Sequence, residues 1–134
     1  MFKLIKIVNS GVNVPEPIRM PKASETVIKT GTLLTVNGGL LKNCTATATP
    51  TYVALADSPA GATEAVVAEI NRNMYFEAPV TAEPDALSVG DKVTLATDSD
   101  GAAYGVTATT SSGVATVVEL AGANASGDKI TVKF

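Results

Sequence analysis

The chain has no histidine, no tryptophan and a single cysteine, Cys44. Without histidine, Ser–His and Cys–His catalytic pairs and His-ligated metal sites are excluded. One cysteine cannot form an internal disulfide, which suits a reducing compartment. Aromatic residues make up only 4% of the chain, so the core must be built from Val, Ile, Leu and Ala. Charged residues are also sparse, at 17% against 46% hydrophobic, which argues against disorder. Long apolar runs are missing too. None approaches the ~18 residues of a membrane helix. In "MFKLIKIVNS" Lys3 and Lys6 break the apolar stretch well short of a signal-peptide core, so the expectation is a soluble protein with no Sec-type signal.

What is present is β-prone and repetitive. "GTLLTVNGGLLKNCTATATPTYVALA" (31–56) and "GDKVTLATDSDGAAYGVTATTSSGVATVVELA" (90–121) follow one plan. Each opens on glycine and a strand-like run, turns at Asn or Asp plus Gly, passes through a Thr/Ala tract and ends in a Val/Ala/Leu run. Asn37–Gly39 and Asp98–Gly101 are hairpin signals. "ATEAVVAEI" (62–70) fits a helical stripe as well as a strand. Its counterpart "GDKITVKF" (127–134) alternates as a strand, and 62–70 is read the same way. The fold class expected is all-β: a small barrel or sandwich built from two similar β-units, about 25–72 and 87–134, with 73–86 as connector. Together they form one domain, 25–134. Residues 1–24 form an extended N-terminal arm, because Pro15, Pro17 and Pro21 fix φ and withhold ladder donors.

Motifs that carry chemistry are scarce. "DSDG" (98–101) lacks the remaining ligands of a calcium loop and reads as a turn. No phosphate-binding glycine loop occurs. Asn43–Thr45 and Asn124–Ser126 match glycosylation sequons by chance, given no secretory signal. Cys44 reads as a small buried hydrophobe. No catalytic residue, cofactor site or metal site is assigned.

Charge is uneven. Residues 1–29 hold five basic and two acidic side chains, whereas 30–134 hold five basic and eleven acidic. A basic leader on an acidic body suits an arm that meets an acidic partner, though a solvated tail explains it equally. The acidic body argues against direct nucleic-acid binding.

Gly31, Gly38–Leu41, Val53–Ala56, Leu87–Val93 and Gly127–Val132, in that order and spacing, resemble the small β-barrel decoration (cement) proteins of tailed-phage heads. The distinct 73–86 connector departs from that pattern. The resemblance implies a non-enzymatic virion protein, made in the bacterial host cytoplasm. It would bind the major capsid protein on the head exterior, often as a homotrimer, and stabilise the lattice without cofactor or membrane. It also implies that the arm reaches the capsid. Phe2, Lys3, Leu4, Ile5, Lys6, Ile7 and Val8 would add a strand to a partner sheet. Lys3, Lys6, Arg19, Lys22 and Lys29 would steer it to an acidic surface. Three alternatives stand beside this. One is another β-structural or adhesion module, such as a fibre base. One is an enzyme using Asp98, Asp100 or Asp128. The last is that "FKLIKIV" pairs with the protein's own sheet.

Overall fold

The glycine pair after Asn37 sets the first hairpin. Gly38 and Gly39 both have positive φ (60° and 78°), as a two-residue type I′ loop requires. They join β3 (Leu33–Asn37) to β4 (Leu40–Asn43). The computed structural model describes all 134 residues and contains twelve strands and no helix. The others are β1 (Lys3–Ile7), β2 (Ile18–Pro21), β5 (Tyr52–Ala54), β6 (Glu64–Glu69), β7 (Met74–Pro79), β8 (Lys92–Val93), β9 (Leu95–Thr97), β10 (Ala103–Val106), β11 (Ala115–Glu119) and β12 (Lys129–Lys133). Within residues 62–70, Glu64–Glu69 form a strand, as their counterpart suggested.

The strands form two antiparallel sheets. One runs β1-β7-β12-β11-β8, the other β2-β6-β5-β3-β10-β9 with β4 paired to β3. The architecture is sandwich-like and open, not a closed barrel. The main core lies between the sheets and includes Phe2, Leu33, Phe76, Val93, Ile130 and Val132. A smaller cluster of Ile28, Leu34, Leu41, Ala54, Ala65 and Val67 fills the first unit.

The sequence repeat is a structural repeat. The path β2-β6-β5-β3 reappears as β7-β12-β11-β8, and each path leads on to a hairpin. Equivalent turns open both units: Thr32 N–H donates to the Lys29 carbonyl and Asp91 N–H to the Ser88 carbonyl, both at 3.1 Å. Gly31 (φ 76°) and Gly90 (φ 97°) take the left-handed third position of these turns. Gly31 N–H then donates to Ala54 O, and Gly90 N–H to Val117 O, both at 2.8 Å. A single parallel bridge curls each unit, Lys22 to Leu41 in the first and Val80 to Val106 in the second. The expected boundaries shift accordingly. Each unit starts with a strand preceding its glycine, so residues 73–86 contain β7, an interior strand between β1 and β12, rather than a plain connector.

The N-terminal segment is also not a free arm. β1 pairs with β7 (Lys3 with Glu77, Ile7 with Met74), with a register shift between Leu4 and Lys6. The cause is β7's inward row, Met74, Phe76 and Ala78, whose flank needs apolar cover. Phe2 supplies it, only 2% exposed and edge-on to Phe134 at 5.9 Å. Burying one such side chain is worth about 1.5–3 kcal/mol. β2 pairs with β6 at the other sheet's edge. Lys22 N–H donates to Thr63 O, so the alternate residues Arg19 and Pro21 point their backbone groups outward. Pro21 therefore sits where no ladder donor is needed and blunts the edge.

Candidate docking surfaces

The ten residues expected to form a capsid-binding arm are dispersed. Phe2 is core, and Leu4 and Ile7 pack against it half-buried. Val8 is half-buried and its N–H donates to Asn73 O at 2.7 Å. Ile5, Lys3 and Lys6 are exposed on β1, Arg19 on the edge strand β2, and Lys29 before the Gly31 turn. Beside Lys29, Asp57 accepts hydrogen bonds from the Thr30 N–H (2.7 Å) and hydroxyl (2.9 Å). These bonds hold its carboxyl below the usual range, with Lys29 helping. Only the connection between β1 and β2 keeps the arm's expected openness. Val12 and Val14 there are 64% and 75% exposed.

Lys22 is the plainest correction. It is 3% exposed and faces no solvent partner. Its ammonium donates to the carbonyls of Thr26 (2.6 Å), Ala62 (2.7 Å) and Pro59 (3.0 Å), with Ala23 O at 3.4 Å. Val80 holds the equivalent bridge position in the second unit. Lys22 ties together the loops around β2 and β6 and cannot steer an encounter.

Lys3 and Lys6 do join a charged surface, one that sequence reading missed. Strand pairing aligns Lys3 with Glu77 and Lys6 with Tyr75 on β7, Glu77 with Thr131 on β12, Lys133 with Thr116 on β11, and Thr116 with Lys92 on β8. Directly paired residues share a face. The outer face of the five-stranded sheet thus gathers Lys3, Lys6, Lys92, Lys129 and Lys133, with Glu77 and Glu119 as its acids. It carries +3 on a chain whose net charge is −3. Lys129 bonds Glu77 at 3.1 Å, the protein's one salt bridge. Lys133 Nζ lies 5.9 Å from the Tyr75 ring centroid. Thr131, in the middle, is only 8% exposed, as expected where lysine stems lie over a strand. Burial chiefly, and then Lys129, lower the Met1 amine's pKa.

Catalytic geometry does not emerge elsewhere. Asp98 Oδ1 accepts the N–H groups of Asp100 and Ala102, both at 2.9 Å, which makes it a turn residue. Asp128 Oδ2 accepts those of Asn124 (3.0 Å) and Ala125 (3.1 Å), holding the turn into β12. Cys44 is fully buried, and burial pushes its thiol up to about 12, far from a nucleophile's range. A polar cleft of about 500 Å³ lies between Glu25, Thr26, Val27, Lys42, Asn43 and Asp100. No group of three or more Cys, Asp or Glu is placed to hold a metal ion.

No protein-family model matches the sequence, and no curated protein matches it. Among solved structures, the N base of head fibre gp8.5 of bacteriophage phi29 is similar, with a TM-score of 0.54. The match covers 89% of this chain and 94% of that one at 18% identity. The two share a fold over most of both chains.

Proposed function

We propose that this chain is a non-enzymatic structural protein of a phage head, a decoration protein that binds the major capsid protein on the outer surface and stabilises the lattice. The observation that carries this reading is the likeness across nearly the whole of both chains to a head-fibre base, a protein named for its place on a phage head. The surface agrees in kind: Asp57, Asp91, Asp98 and Asp128 accept hydrogen bonds from turn N–H groups and the thiol is buried, which suits a part that holds rather than converts. Homotrimers at three-fold lattice positions would multiply a weak single contact. The test is to add purified protein to heads that lack it, then measure co-sedimentation and the temperature at which heads break. Saturable binding with a higher breakage temperature is expected. Absence of binding overturns the reading.

A second reading is favoured by the same neighbour: the chain is the base of a head fibre. Under it, heads without the protein lose a projection seen by electron microscopy, and their breakage temperature is unchanged.

A further inference from the structure

We propose that the outer face of the five-stranded sheet is the docking surface, and that its partner is an acidic patch on a protein. This rests on the head-binding reading and deepens it by naming the face and the chemistry it meets. Strand pairing brings five lysines from three strands, β1, β8 and β12, onto one side. The rest of the chain carries five basic and eleven acidic residues, so the molecule is polarised. Lys3, Lys6, Lys92 and Lys133 have no carboxylate within 4.0 Å. Crowding like charges costs energy that an acidic partner relieves. Between them stand Tyr75, Thr116 and the half-buried Val118, a flat centre inside a cationic rim.

A protein partner fits better than a nucleic acid. Glu77 sits within the lysine field, paired to Lys129, and would face any regular row of phosphates. Tyr75, the face's aromatic ring, already lies beneath Lys133 instead of standing free to stack on a base. The face is also small. Five strands about 4.8 Å apart and about 16 Å long give roughly 300 Å². That is well under the ~800 Å² per partner of a stable interface. One copy therefore binds weakly and in a salt-dependent way, and occupancy comes from charge and from many copies on a lattice.

The experiment is an amide NMR titration of the full chain with poly-L-glutamate at low salt, run beside a 20-base-pair DNA duplex and followed by co-sedimentation with heads. Shifts confined to β1, β7, β12, β11 and β8, lost at high salt, are expected with poly-L-glutamate. Lys129→Gln/Lys133→Gln should weaken binding about tenfold while the rest of the spectrum keeps its positions. Lys29→Glu/Lys42→Glu, away from the face, should leave it unchanged. Shifts mapping elsewhere, no binding, or tighter binding to the duplex than to poly-L-glutamate would overturn the proposal. If wild-type protein sediments with heads and the Gln pair does so equally, the face is wrong and the head reading stands. If wild-type protein ignores heads, the head reading fails while the titration still decides the face.

Discussion

Replacing Lys22 with methionine keeps an unbranched side chain, one atom shorter, and removes its charge. The ammonium has three protons and three carbonyls within 3.0 Å. Each hydrogen bond to a charged group is worth about 1.5–3 kcal/mol, so the gross loss is roughly 4.5–9 kcal/mol. Against this, the variant no longer buries an ammonium, which relieves a desolvation cost of several kcal/mol. The carbonyls belong to loops, and some will find water. The net expectation is about 3 kcal/mol of destabilisation. For a chain of this size that lowers Tm by roughly 10–15 °C. The assay is urea and thermal unfolding followed by circular dichroism, with an unchanged urea m-value. Because the partners are neutral carbonyls, the difference should persist in 1 M salt, unlike that of a surface ion pair. Lys22→Arg should also destabilise, since a planar fork cannot aim three donors at carbonyls spread around a compact ammonium. Lys22→Met within about 0.5 kcal/mol of wild type, the ordinary effect of a surface change, would refute the reasoning.

Deleting residues 1–8 should destabilise the fold instead of yielding an intact body without its arm, and Phe2→Ala alone should cost about 3–5 kcal/mol in urea unfolding. Gly113→Ala should cost upward of about 2 kcal/mol, because a Cβ there would meet the Lys92 carbonyl oxygen of β8, and thermal melts will show it. The Cys44 thiol should resist a disulfide reagent until the protein unfolds. Its folded pKa of about 12 lies above the 9.0 of a free thiol, so the folded state holds the proton longer. Stability is full below about pH 9 and falls between 9 and 12, by up to about 1.4 kcal/mol per pH unit from this group. A Cys44→Ala variant should lose that part of the slope in alkaline urea titrations.

Much of the architecture was legible because turn chemistry is local. Gly38–Gly39, Gly31 and Gly90 announce their conformations within four residues, and the two copies of that grammar exposed the repeat. Residues 62–70 were settled as a strand by their counterpart, where composition alone was ambiguous. What stayed hidden depends on which strands lie side by side. β1 is basic and β-prone whether it pairs with a stranger or with β7, and only the register of Lys3 against Glu77 decides. The same holds for the lysine face: "KITVK" shows Lys129 and Lys133 on one side of a strand, but nothing local places them beside Lys3 and Lys92. Lys22 misled for another reason. A lysine near prolines reads as solvated, and a cage of backbone carbonyls has no residue-type signature.

The pairing of β1 with β7 also bears on how the protein is made. Some seventy residues separate these strands, so at about 5–20 residues per second the ribosome delivers β1 several seconds to more than ten seconds before its partner exists. During that interval "FKLIKIV" is a nascent, β-prone apolar strand with nothing to pair with. Lys3 and Lys6 interrupt it with charge, the usual means of keeping such a segment from zipping onto a neighbouring chain. The two lysines would thus serve twice, first as chaperoning charges during synthesis and later as part of the finished face, and replacing both with valine should send newly made protein into aggregates before it alters the folded form.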